Sequence, residues 1–195
     1  MKRGRLQTEQ RILEAVAEIL LHQGYPEIGI NAVARQAGCD KVLIYRYFGG
    51  LEELLLAFAE TRELWWEVSE IILEDERDCT RIPLHQFLER LLNRYVEALE
   101  ARPLTLEIMA WEMSAENSLT RHLSRLRSER GMQLVKQIRN LYQQPNIDIG
   151  GVLGVFGAAV NYLIIRTRHQ EQQYKTEEWW RLQQTIARLL KSYES

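Results

Sequence analysis

Residues 24–54, GYPEIGINAVARQAGCDKVLIYRYFGGLEEL, restrict the fold more than any other stretch of this chain. Glycines divide the run into a short helix, a tight turn, a second short helix and the start of a third. Ile30, Val33, Ala34 and Ala37 form the inner face of the first short helix, and Gly38 suits a left-handed turn at its end. Asp40 is placed to cap the second short helix, and Gly49-Gly50 breaks it.

On a helical wheel Ile44 and Phe48, four residues apart, share the core side of that second helix. Val42, Leu43 and Arg46 fall opposite, with Tyr45 and Tyr47 on the edges. Bare apolar side chains beside a cation and two phenols fit the major groove of DNA better than they fit water. Arg46 can donate two hydrogen bonds to guanine, and Val42 or Leu43 can touch a thymine methyl. The phenols reach phosphates, which fix register without reading sequence, and Lys41 can reach a phosphate or a base edge. The plainer reading is a solvated surface helix carrying two stray apolar residues.

The rest of the chain also reads as helix. Ile12, Val16, Ile19 and Leu20 make one apolar face, with Thr8 as N-cap and Gly24 as the stop. A long helix is predicted over 51–73, burying Leu54, Leu55, Phe58, Leu64, Trp65, Val68 and Ile72. The charged stretch 74–81 is a loop. Pro83 sits in the first turn of the next helix, and Pro103 opens a short one that reaches about Ser114. Further helices are predicted over about 119–142, 147–165 and 177–193, with a turn at 143–146. There is no strand-like alternation, repeat or low-complexity linker. The fold class is therefore all-α, with an N-terminal three-helix helix-turn-helix domain (1–50) and a C-terminal helical bundle (51–195). The helix over 51–73 is expected to couple the two.

Composition narrows the function classes. The 195 residues are 46% hydrophobic and 27% charged, with a net charge of −2. Residues 1–48 hold seven Lys/Arg against five Asp/Glu, so this head is +2 and the remainder −4. A basic head on an acidic body fits DNA binding. Cys39 and Cys79 show no metal or disulfide spacing, which fits buried thiols in a reducing cytoplasm. The N-terminus lacks the apolar core of a signal peptide. Residues 147–165 are almost long and apolar enough to cross a bilayer. Four glycines, Asp148 and Asn161 favour a buried bundle helix, so no membrane partner is expected. His22, His85, His122 and His169 are dispersed, and nucleophile-elbow and phosphate-loop patterns are missing. No enzyme activity, catalytic residue, metal or cofactor is expected.

The run RILEAVAEILLHQGY…INAVARQAGCDKVLIYRYF…LEELLLAF resembles the N-terminal domain of the tetracycline-repressor (TetR) family of bacterial regulators, over roughly residues 8–58. The matching pieces are Gly24-Tyr25, Val33-Ala34…Ala37-Gly38, Tyr45-x-Tyr47-Phe48 and Glu53-Leu54. The resemblance implies a homodimer on a palindromic double-stranded DNA operator, most often a repressor, with a small-molecule effector binding in the body. By position, the DNA contacts then fall on Asn31, Lys41, Val42, Leu43, Tyr45, Arg46 and Tyr47. Three departures stand out. Gly29 replaces the usual Ser or Thr cap, Val42 and Leu43 replace small residues, and Leu51 stands where a phosphate-contacting lysine is common. The basic N-terminal Lys2-Arg3-Gly4-Arg5 either compensates by reaching a neighbouring groove or is a disordered solubilising tail.

In the body, Gly154 and Ala158 share one helix side, where glycines allow close helix approach. With Trp179, Ile186 and Leu190 of the last helix they resemble the family's four-helix dimer interface; packing within the monomer alone is the other reading. Trp65, Tyr95, Glu107, Trp111 and Asn161 are candidate effector-binding residues. Glu107 and Trp111 suit a cationic or aromatic ligand, and Arg166 an acidic one. A helical sensor or interaction module with a degenerate DNA-binding head is the alternative function.

Overall fold

The computed structural model describes residues 2–73, 81–142, 147–169 and 172–192. Among them lie ten α-helices and no strand: α1 (Lys2–His22), α2 (Ile30–Ala37), α3 (Lys41–Phe48), α4 (Leu51–Glu60), α5 (Val68–Ile71), α6 (Leu84–Glu100), α7 (Pro103–Glu112), α8 (Ser118–Leu141), α9 (Ile149–Thr167) and α10 (Gln172–Ser192). A 3₁₀ turn, Tyr25–Glu27, follows α1. The loop expected over 74–81, apart from its last residue, lies outside the described residues, as do the turn expected at 143–146 and Cys79.

The chain divides into two compact units. The first holds Met1–Trp65 and Arg102–Leu126, and the second Trp66–Ala101 and Arg127–Ser195. In the first, α1, α2 and α4 surround fully buried Ile12, Leu20, Val33, Ile44, Leu54 and Phe58. Each such side chain contributes about 1.5–3 kcal/mol by leaving water. Helix α7 packs against α1 and the 3₁₀ turn within this unit. Two polar ties join α4 to α8: the Ser118 N–H donates to Glu52 Oε2 at 2.9 Å, and Ser118 Oγ to the Glu52 carbonyl at 2.8 Å. In the second unit α6 packs against α5, α9 and α10. Its core holds Phe87, Leu88, Leu99, Ile138, Val160 and Ile186.

Four boundaries and faces differ from the sequence reading. Thr8 is not a cap; α1 starts at Lys2, and Thr8 Oγ donates back to the Gly4 carbonyl at 2.9 Å inside the helix. Residues 2–7 are mostly good helix formers and simply continue the helix.

The helix predicted over 51–73 ends at Glu60. The Thr61 N–H bonds both Ala57 and Phe58 carbonyls at 3.2 Å, and Thr61 Oγ donates to the Phe58 carbonyl at 3.0 Å. The following loop buries Leu64, Trp65 and Trp66, and Thr105 Oγ holds the Leu64 carbonyl at 2.6 Å. A reciprocal capping box between Glu67 and Glu70 then starts α5. Burial of the two indoles outweighs the helical hydrogen bonds given up.

The last helix begins at Gln172 rather than near 177. Helix α9 is not the buried helix expected from its apolar sequence. Gly151, Gly154, Val155, Ala158 and Tyr162 form an exposed face.

Candidate nucleic-acid interface

The turn between α2 and α3 is built from three local devices. Gly38 adopts a left-handed conformation (φ 61°, ψ 43°), and the Cys39 N–H closes back on the Ala34 carbonyl at 3.0 Å. This is a Schellman closure, which a non-glycine residue forms only with strain. Asp40 caps α3, its Oδ1 accepting from the Val42 N–H at 2.8 Å. Gly49, at φ 101°, terminates α3. Cys39, in the turn, is half-buried, and burial raises its thiol pKa, with Arg11 opposing the shift.

Helix α3 has one fully buried residue, Ile44, which seats it on the first unit. Its outward surface carries exposed Lys41, Val42, Tyr45 and Arg46, with Val42 and Tyr45 each 54% exposed. Leu43 and Tyr47 are half-buried. Leu43 therefore lies at the edge of the outward face, not at its centre, and Tyr45 takes the more open position. The two residues flank Ile44 by roughly equal angles of about 100°, so helix geometry alone does not rank them; packing does. Asn31, the second residue of α2, is exposed. Arg5 of α1 sits over the Tyr47 ring at 5.1 Å from its centroid, a contact that a reading of separate helices had no means to supply.

The sequence profile described as bacterial regulatory proteins, tetR family, matches residues 12–58, a span that covers α2, the turn and α3. The likeness to the tetR family thus lies in this N-terminal segment. An uncharacterized HTH-type transcriptional regulator of Pseudomonas putida, TtgW, is 35% identical over 57 residues. That alignment covers 29% of this chain and 42% of TtgW. An uncharacterized HTH-type regulator of Mycobacterium tuberculosis is 38% identical over 60 residues, 30% of each chain. The likeness to these relatives thus covers less than half their length. SrpR of Pseudomonas putida, an HTH-type transcriptional regulator, aligns over 86% of this chain and 79% of its own at 24% identity. The fold is also that of solved TetR-family structures. A TetR family transcription regulator from Marinobacter aquaeolei superposes over 96% of both chains at 17% identity, with a TM-score of 0.53. NalD of Pseudomonas aeruginosa covers 93% of this chain and 96% of its own at 14% identity, with a TM-score of 0.58.

The five candidate effector residues divide between the two units. Trp65, Glu107 and Trp111 belong to the first and are buried. Trp111 stacks on Tyr25 of the 3₁₀ turn at 5.6 Å and 7°, and Ser114 Oγ donates to the Tyr25 hydroxyl at 2.9 Å. Tyr95 and Asn161 belong to the second, where the Tyr95 hydroxyl donates to Asn161 Oδ1 at 2.5 Å. Trp66 packs edge-on to Tyr95 at 5.8 Å. Burial pushes the Tyr95 phenol pKa well above its usual value, opposed by the Asn161 hydrogen bond and the charge of Arg127. Two surface grooves of about 910 and 570 Å³ lie elsewhere, the first along Gln7, Arg11, Glu14 and Arg62 and the second along Glu89, Asn93 and Arg188. Arg166, a candidate partner for an acidic ligand, pairs with Glu178. Among the described residues no three His, Cys, Asp or Glu are grouped to hold a metal ion.

Of the candidate dimer residues, Gly154 and Ala158 are exposed on α9 and Trp179 is half-buried. Ile186 and Leu190 are turned into the core of their own unit, each 3% exposed. The outward apolar residues of α10 are instead Trp180 and Leu189. The apolar stripe that sequence spacing selects on α10 is thus the one that holds it to the rest of its own chain.

Proposed function

We propose that this protein is a ligand-responsive transcription regulator, a repressor that binds a palindromic operator as a homodimer. Residues 1–50 act as the DNA-binding head and 51–195 as the effector-binding and dimerising body. The observation that carries this reading is the outward face of α3. Val42 and Tyr45 stand exposed beside Arg46 and Lys41, on a helix anchored by a single buried isoleucine. Val42 and Tyr45 are three residues apart on this eight-residue helix and present an apolar surface that a partner would cover. A thymine methyl and a guanine edge supply that surface. Tyr47 and Asn31 supply phosphate contacts that fix register.

The dimer reading rests on the uncovered apolar face of α9, with Val155 66% and Tyr162 58% exposed around three small residues. A second copy of the chain would cover it. The effector reading rests on the second unit, where buried Tyr95 donates its hydroxyl to half-buried Asn161.

The test is to incubate purified protein with fragmented genomic DNA of its source organism at controlled salt and to sequence what is retained. Enrichment of a palindromic site is expected. Retention without sequence preference, from a folded dimer at low salt, contradicts operator recognition.

A further inference from the structure

The extension of α1 by six residues before Thr8 carries a cation to the recognition helix. Arg5 lies on this added turn. Its guanidinium stands 5.1 Å from the centre of the Tyr47 ring, and its Nε donates to Glu9 Oε1 at 2.7 Å. The side chain is nonetheless 58% exposed, against 21% for Glu9. A carboxylate on one side and an aromatic face on the other fix the orientation of the planar group. Glu9 engages Nε and leaves the Nη donors for another partner. The hydrogen bond and charge of Glu9 raise the guanidinium pKa, so the cation persists at every working pH.

We propose that Arg5 is a phosphate-binding residue of the DNA interface, held at the rim of α3 by Tyr47 and Glu9. The proposal rests on the DNA-binding reading of α3 given above. A guanidinium fork presenting parallel N–H groups matches phosphate oxygens. Tyr47 then serves both as a phosphate contact and as the platform that orients a second one. The position also answers a deficit in the sequence: Leu51, half-buried at the first residue of α4, brings no cation to the backbone. α1 and α3 together would grip the phosphate strand at one edge of the groove. Arg5 thus belongs to a helix of the interface and not to a loose tail.

The test measures binding of a fragment selected from genomic DNA, as a function of salt, for the full-length wild type and three variants. Arg5→Ala should weaken binding to operator and to unrelated DNA alike. It should flatten the slope of log K against log salt by about 0.9 for each phosphate no longer neutralised, about 1.8 for a dimer. Base preference should stay unchanged. Adding Leu51→Lys to Arg5→Ala should restore the slope, a rescue that a purely structural role for Arg5 does not provide. Arg181→Ala, which removes the same charge from α10, should leave the slope unchanged. An Arg5→Ala slope equal to wild type, with operator still bound, overturns the proposal while leaving the DNA-binding reading intact. Failure of the wild type itself to bind any DNA overturns both.

Discussion

Replacing Asp40 with alanine should cost stability and DNA affinity together, because the first turn of α3 hangs on one side chain. Helix α3 spans eight residues, too few to persist alone in water. Its first turn carries Lys41, Val42 and Leu43. The Asp40 carboxylate meets the Val42 N–H at 2.8 Å. Removing such a cap costs about 1 kcal/mol, which for a chain of this size lowers the melting temperature by about 2–4 °C. A frayed first turn must also re-form on DNA, so each recognition helix forfeits up to about 1 kcal/mol of binding, roughly fivefold. Asp40→Asn is the control: it removes the same negative charge but keeps the acceptor oxygen. Its melting temperature should stay close to wild type, apart from a few tenths of a kcal/mol of weakened helix-dipole interaction. The affinity difference between the two variants then reports the cap alone. Thermal unfolding and a fluorescence-anisotropy titration on the selected fragment measure both quantities. Equal melting temperatures and equal affinities for the alanine and asparagine variants would show that the cap does not hold α3.

Other consequences are more local. Arg46→Ala should weaken operator binding by about 1–3 kcal/mol and leave the melting temperature unchanged, since the side chain is exposed; a lowered melting temperature would make it structural. Val155→Glu should leave the fold of each chain intact while halving the mass seen by sedimentation equilibrium; an unchanged dimer mass would place the interface elsewhere. Burial raises the folded pKa of Tyr95 above the ordinary phenol value, which is about 10. Its contribution to stability is therefore complete below about pH 10 and declines as pH rises beyond it. Tyr95→Phe should give up about 1 kcal/mol at neutral pH with the Asn161 hydrogen bond and should soften the alkaline decline in stability. An alkaline unfolding curve identical to wild type would argue against this phenol as a contributor.

The helix-turn-helix was legible because its signals are local. Gly38 is the residue that a left-handed closure requires, Asp40 caps as its chemistry suggests, and the wheel puts Ile44 inside and Val42 and Arg46 outside, though not Leu43, which is half-buried. Features set by tertiary packing were not legible. Nothing between 51 and 73 breaks a helix by propensity; α4 stops at Glu60 because the loop buries Leu64, Trp65 and Trp66 and is tied down by Thr105. An all-round apolar sequence reads as a buried helix. It does not reveal whether the burial comes from the same chain, and α9 leaves Val155 and Tyr162 exposed in the single chain. On α10 the same ambiguity assigned Ile186 and Leu190 outward when they face inward. The contacts of Arg5 with Tyr47 and of Trp111 with Tyr25 join residues far apart in sequence, and neither partner announces the other.

The most direct test of the central claim, that the outward face of α3 reads bases, is a substitution scan of the selected operator against wild-type protein and Arg46→Ala. Each base pair is changed in turn and the affinity measured at one fixed salt concentration. The account predicts that the wild type discriminates at symmetry-related positions of the two half-sites. Arg46→Ala should lose discrimination at one base pair per half-site and keep it elsewhere. Identical discrimination profiles for the two proteins would contradict it.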